Sequence, residues 1–178
     1  MQQGFTVWFT GLSGAGKSTL AGKLEETLKH SHGRRTEILD GDVIRTHLSK
    51  GLGFSRDDRD TNVLRVAWVC ELLTRNGVGA IAATISPYRD TRQQARGMIG
   101  AGRFIEVYLD VPFEECEKRD VKGLYAKAKA GSVPAFTGRD DPYEPPVSPE
   151  VTCRTHEETI DESIGRIIAE LQRRRLIG

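Results

Sequence analysis

Cysteine is scarce in this 178-residue chain: Cys70, Cys116 and Cys153 are odd in number, widely spaced and embedded in apolar segments. Such a set argues against a disulfide framework or a thiolate metal centre and predicts buried free thiols. The four histidines form no ligand pair of convincing spacing either. Charge of one sign is also missing. With 26 Lys and Arg against 25 Asp and Glu, no overall field attracts nucleic acid or an anionic membrane, so any basic site must be local. No apolar run approaches the ~20 residues that a spanning helix needs. A strand begins within a few residues of Met1, leaving no room for a signal peptide, so the cytoplasm is the expected compartment. Repeats and low-complexity tracts are absent. What is present, 38% apolar and 29% charged residues, suits one globular domain over 1–178 with a single sizeable core.

Strand and helix patterns alternate. The apolar run Phe5 to Phe9 reads as a strand, followed by a helix near 17–29 with Leu20, Leu24 and Leu28 at helical spacing. Thr36 to Leu39 is a second strand, Val43 to Leu48 a short helix, and 56–76 a long one carrying Val63, Val66, Ala67, Cys70 and Leu73. A third strand is expected over Ala80 to Ile85, a helix over 90–99, a fourth strand over Phe104 to Leu109, and a short helix opening at Pro112. Val151 to Cys153 adds a last strand. Thr159 with Glu162 fits a capping box for a closing helix, whose buried stripe would be Ile160, Ile164, Ile167, Ile168 and Leu171. The alternation predicts an α/β domain, a doubly wound and mostly parallel sheet. Only 120–149 breaks the rhythm. Five of the seven prolines fall there, with Tyr125, Phe136 and Tyr143 interleaved among Lys122, Lys127, Lys129 and Arg139. A flexible insertion is the plainer reading, and a lid the one the aromatics favour.

Gly11-Leu12-Ser13-Gly14-Ala15-Gly16-Lys17-Ser18, directly after the first strand, has the G-x-x-x-x-G-K-S spacing of a phosphate-binding loop. Glycines let several backbone N–H groups turn toward one polyphosphate, and the following helix N-terminus adds partial positive charge. Lys17 would reach the β- and γ-phosphates, and the Ser18 hydroxyl would ligate Mg²⁺. A Gly-rich turn with a chance Lys-Ser would lack these flanks, so a nucleoside triphosphate is expected. Where its terminal phosphate goes is a separate question. Ligands of open parallel sheets bind beyond the carboxyl ends of the strands, which collects this loop, Asp40-Gly41-Asp42, Ser86-Pro87-Tyr88-Arg89 and Asp110 on one edge. Asp-Gly-Asp is either a turn with a helix N-cap or a carboxylate pair near the metal and an attacking hydroxyl. Arg59, Asn62 and Arg65 step by three along one helix, as an anion site or as a solvated charged face.

With its flanks Phe9-Thr10 and Thr19, the loop resembles that of the adenylyl-sulfate kinase family. So do Leu39 to Asp42 with Arg45, Gly51 to Ser55 with Asp58-Arg59 and Asn62, Ile85 to Arg89, Lys122 to Tyr125, and Phe136 to Gly138 leading to Asp140-Asp141-Pro142-Tyr143-Glu144. The resemblance spans nearly the whole chain. It implies a P-loop kinase that moves the γ-phosphoryl of MgATP to the 3′-hydroxyl of adenylyl sulfate, with a lid at about 120–149. Lys17, Asp42 and Ser86 then become catalytic candidates, with Ser18 and Asp42 at Mg²⁺. Gly11 to Thr19, Arg119 and the stretch around Cys153 would meet ATP. Asp40, Asp42, Arg45, Arg59, Asn62, Ile85, Ser86, Lys122 and Leu124 would meet the acceptor, and Phe54 and Phe136 would sandwich its adenine. Ser86 matches a serine often labelled a phosphoserine intermediate. Asp42 with Mg²⁺ suffices for direct in-line transfer, leaving Ser86 to cap the strand end or bond substrate.

This chain departs from the family pattern at Arg139, Val121, Leu64 and Ala83-Thr84, none of which carries an assigned role. The resemblance also suggests a homodimer, and a kinase domain that elsewhere is fused to an ATP sulfurylase. Two rivals share part of the evidence. A gluconate, shikimate or nucleoside kinase would share loop and sheet but not Ser86-Pro87-Tyr88 or the paired phenylalanines, and a guanine-nucleotide switch would need an Asn-Lys-x-Asp signature the chain lacks.

Overall fold

The computed structural model describes residues 2–120, 123–131 and 136–178. Five strands, β1 (Phe5–Thr10), β2 (Thr36–Asp40), β3 (Gly79–Ala83), β4 (Phe104–Leu109) and β5 (Val151–Cys153), form one sheet in the order β2-β3-β1-β4-β5. Every pairing is parallel, so every connection crosses over a face of the sheet. Helices α1 (Lys17–His32) and α7 (Ile160–Arg173) cover one face, and α3 (Arg56–Arg75) and α4 (Arg89–Ile99) the other. Shorter helices α2 (Gly41–Thr46), α5 (Phe113–Arg119) and α6 (Leu124–Lys129) lie at strand ends or in the 120–149 segment.

The central strand shows why the chain reads as continuously apolar there. All six residues of β1 are buried. Phe5, Val7 and Phe9 enter the cluster beneath α1 and α7, and Trp8 the opposite cluster beneath α3 and α4. Leu20, Leu24 and Leu28 of α1 meet the first set, each stabilising the fold by about 2 kcal/mol through burial. All three cysteines are buried free thiols.

Several boundaries move. Strand β3 stops at Ala83 rather than Ile85, because Ser86 takes a left-handed conformation (φ 41°) that turns the chain out of the sheet. Helix α2 starts at Gly41 because Asp40 serves as its N-cap. Pro112 is the N-cap of α5 rather than its first helical residue. The capping box at Thr159 and Glu162 forms as expected, but Ile160 is 46% exposed and leaves the buried stripe. At the first helical position it lies beyond the core that Ile164, Ile167 and Leu171 fill. The 120–149 segment contains α6 and a bridge between Thr137 and Asp141. Lys122, Val121 and Pro134 lie outside the described residues.

Candidate active site

The phosphate loop closes on itself between β1 and α1. Gly11, Gly14 and Gly16 have φ of 148°, 77° and 103°. A Cβ on Gly14 would lie 2.9 Å from the Cys116 carbonyl oxygen, so glycine is required there for space as well as torsion. No side chain caps α1 at Gly16, which leaves its first amides turned toward the loop for an anion. The Lys17 ammonium donates to the carbonyls of Gly11 (2.8 Å) and Leu12 (2.7 Å), which holds its charge over the loop.

Strand β2 delivers the carboxylates. Ser18 Oγ donates to Asp40 Oδ2 at 2.5 Å, and Asp40 Oδ1 accepts the Asp42 amide at 3.0 Å. The N-cap reading of Asp-Gly-Asp is therefore realised: Asp40 caps α2 and also sits on the loop serine. One hydroxyl and two nearby carboxylates are hard oxygen donors suited to Mg²⁺, which takes few protein ligands and keeps water and phosphate oxygens. Among the described residues no cluster of three or more acidic, Cys or His side chains could cage a metal by itself. The donor set fits a metal held jointly with a polyphosphate.

Beyond these carboxylates lies a cavity of about 450 Å³. From the loop side it is lined by Ser13, Gly14, Gly16, Lys17, Ser18 and Thr19. Asp40, Asp42, Arg45, Phe54, Arg59, Asn62, Ile85, Ser86, Leu124 and Phe136 line the rest. Gly11, Leu12 and Ala15 shape the loop without lining the cavity. Arg45 stacks over Phe54 at 4.6 Å from the ring centroid. Burial, and then the charge of Arg59, hold the Arg45 guanidinium below its ordinary value. Phe54 is 45% exposed, whereas Phe136 is buried edge-on against Tyr125 (4.8 Å). Asn62 Oδ1 is buried with no hydrogen-bond partner among the described residues, a group whose satisfaction a ligand would supply.

Arg59 is engaged with the 120–149 segment. It donates to Thr137 Oγ1 (2.5 Å) and to the Phe54 carbonyl (2.9 Å), and lies 3.8 Å from Asp141. The Tyr88 hydroxyl donates to the same Asp141 (2.8 Å). Burial and that bond push the Tyr88 phenol up to about 12. Tyr125 donates to the Ser13 carbonyl (2.7 Å), pinning α6 to the phosphate loop. The helical triad therefore splits: Arg59 and Asn62 face the cavity, while Arg65 is exposed and donates to the Leu48 carbonyl.

The Ser86 turn is the most constrained part. Its φ of 41° costs a non-glycine residue roughly 1–2 kcal/mol. Three bonds hold it. The Trp8 indole N–H donates to Ser86 Oγ (3.0 Å), and Arg92 Nη1 and Thr10 Oγ1 donate to the Ser86 carbonyl (2.7 and 3.3 Å). Arg92 is 1% exposed; its Nε pairs with Glu106 (2.8 Å) and its Nη2 with the Glu144 carbonyl (2.7 Å). Thr10 also donates to the Ile85 carbonyl (2.7 Å) and lies 2.9 Å from the Tyr143 hydroxyl.

On the other flank of the loop, Arg119 donates to the Gly14 carbonyl (3.3 Å) and to Thr155 Oγ1 and carbonyl (both 2.9 Å), and Thr155 Oγ1 donates to the Ala15 carbonyl (2.7 Å). Thr155 thus matters as much as Arg119, and no local pattern marks it. Arg119, Cys153 and Asp110 do not line the cavity: Arg119 is engaged behind the loop, Cys153 is fully buried in the core, and Asp110 pairs with Arg154 (3.3 Å).

A family model for adenylylsulphate kinase matches residues 3–154. The adenylyl-sulfate kinase of Rippkaea orientalis is 56% identical over 171 residues, 96% of this chain and 93% of the relative. The solved structure of the Mycobacterium tuberculosis APS kinase CysC in complex with AMPPNP and APS superposes with a TM-score of 0.91 at 42% identity, covering 97% of this chain and 99% of that one. A gluconokinase from Sinorhizobium meliloti, at 16% identity and a TM-score of 0.59, shares the fold alone.

Proposed function

Because the chain belongs to the adenylyl-sulfate kinase family, we propose that it transfers the γ-phosphoryl group of MgATP to the 3′-hydroxyl of adenylyl sulfate, giving 3′-phosphoadenylyl sulfate and ADP. The observation that supports this reading is one compartment lined both by the phosphate loop with Asp42 and by Arg45, Arg59, Phe54, Phe136 and Asn62, whose buried Oδ1 has no partner among the described residues. In that compartment Arg45 and Asn62 would meet the phosphosulfate side of the acceptor, and Phe54 would stack on its adenine with Phe136 closing behind.

The chemistry asked of the chain is positioning and charge neutralisation. Lys17 and the loop amides would hold the donor phosphates, and Ser18, Asp40 and Asp42 would hold Mg²⁺ with them. When bound, the ion neutralises phosphate charge. Asp42 would accept the 3′-hydroxyl proton as the 3′-oxygen bonds to the γ-phosphorus, and the bridging P–O bond breaks to release ADP. Arg119 would flank the donor adenine.

We assign 1–178 to one kinase domain with a lid at about 120–149, whose anchors would be Arg59–Thr137, Tyr88–Asp141 and Tyr125–Ser13. No described helix is long and apolar enough to cross a membrane, which agrees with a cytoplasmic enzyme. A homodimer is the assembly we propose, and coupling to an ATP sulfurylase the source of the acceptor. A coupled ADP-release assay with adenylyl sulfate, gluconate, shikimate and nucleosides in parallel tests the reading. Turnover of adenylyl sulfate is expected; turnover of another acceptor without it would reject the assignment.

A further inference from the structure

Trp8 lies in the central strand, fully buried and stacked on Phe104 (5.7 Å), with no surface in the cavity. Its indole nitrogen can only donate. In the contact with Ser86, the serine oxygen must therefore be the acceptor. That fixes the remaining chemistry of this hydroxyl: its proton has to be given to something else. Among the described residues nothing accepts it, although Ser86 is 3% exposed and lines the cavity. A buried hydroxyl with one lone pair filled and its proton unplaced is a donor waiting for an acceptor atom. The strained backbone of Ser86, tied down by Arg92 and Thr10, keeps it there.

We propose that Trp8 is a positioning residue for the acceptor half of the site: it orients Ser86 so that the hydroxyl donates to an anionic oxygen of the bound acceptor nucleotide. The same geometry disfavours Ser86 as a phosphoryl-accepting nucleophile. Phosphorylation of Ser86 would form an Oγ–phosphorus bond, break the bridging P–O bond to release ADP and release the hydroxyl proton, whereas the hydrogen bond seen at Oγ is the one it accepts from Trp8. This inference rests on the reading of the cavity as an adenylyl sulfate site.

The test compares Ser86→Gly, Trp8→Phe and their combination, together with Trp8 replaced by 3-benzothienylalanine, which keeps the ring shape but has sulfur where the N–H was. Losing a hydrogen bond to a charged oxygen predicts a rise of about tenfold or more in KM for adenylyl sulfate in each single variant, with a smaller fall in kcat and KM for ATP moved less than about twofold. The combined variant should be no worse than Ser86→Gly, because both remove one interaction. Ser86→Gly relieves the positive φ but leaves the buried Trp8 N–H without its partner, two opposed effects of similar size, so its Tm should stay close to that of the parent. KM for adenylyl sulfate thus worsens without a matching loss of stability. Additive losses, KM values for both nucleotides that track Tm, or an unchanged KM in the benzothienyl variant would overturn the proposal. So would γ-phosphate label recovered on Ser86 of the unmodified enzyme. An unmodified enzyme that does not turn over adenylyl sulfate would overturn the site reading and this inference together. Normal turnover with unaffected variants would overturn the inference alone.

Discussion

Asp42 and Ser86 both line the cavity, and their surroundings separate their roles. Ser86 is spoken for by an indole donor, whereas Asp42 stands on the first turn of α2 beside the Asp40–Ser18 pair. Asp42→Asn keeps the shape and removes the proton acceptor. Its kcat should fall about 10²- to 10⁴-fold, with ATP binding by titration calorimetry nearly preserved. Ser86→Ala should retain a kcat within about tenfold of the parent and lose its affinity for the acceptor instead. Equal collapse of kcat in both would revive a phosphoserine route. The glycines, Lys17 and Ser18 were legible from spacing alone, because one anion imposes that spacing on any chain that binds it. Arg59 was legible as a cation on the correct face. Its bond to Thr137 was not, since it depends on where a segment 78 residues away comes to rest.

At the scale of elements, the stretch from Asp141 to Glu150 is laced to α4 and the neighbouring strands. Glu150 accepts from Arg96 (2.6 and 2.8 Å), Arg174 (3.1 Å) and the Glu106 amide (2.7 Å). Burial alone would raise its pKa, but the bonds from Arg96 and Glu106 outweigh this and hold it below the ordinary 4.5. A carboxylate with a depressed folded pKa contributes stability that is present above about 4.5 and lost as pH falls through the folded value. Glu150→Gln should therefore lower Tm by several degrees at pH 7, and the difference from the parent should narrow once the pH falls through the depressed folded value. Calorimetry above and below that value checks it; a constant difference would mean the carboxylate charge is not what matters. Strand and helix identities were readable because each carries its own period. The boundaries that moved did so for reasons outside the period: the Ser86 turn cut β3 short, and Asp40 started α2 early. Ile160 was misplaced because an apolar residue at the first helical position satisfies the periodicity and still lies beyond the layer it should cover.

For the whole molecule, the sheet order turns back on itself at β1, so that strand lies between the two halves of the site. Sequence alternation foretold a doubly wound sheet but not which strand would be central, since strand order is settled by long-range packing. Thr10 closes β1 one residue before the phosphate loop. Because its hydroxyl donates to the Ile85 carbonyl, the nearby Tyr143 hydroxyl must be the donor to it. A single oxygen atom thus joins the base of the phosphate loop, the chain just beyond β3, and the 120–149 segment at Tyr143. Such a junction is expected to couple the two nucleotides, and the coupling must be reciprocal: whatever factor a non-hydrolysable ATP analogue applies to adenylyl sulfate binding, adenylyl sulfate must apply to the analogue. Removing the hydroxyl in Thr10→Val should bring that factor toward one while each nucleotide alone binds nearly as before, and paired calorimetric titrations in both orders would show it. An undiminished factor would place the coupling elsewhere. The enzyme would then owe its order of assembly, donor first or acceptor first, to kinetics alone, because the energy linking the two sites is the same in either direction.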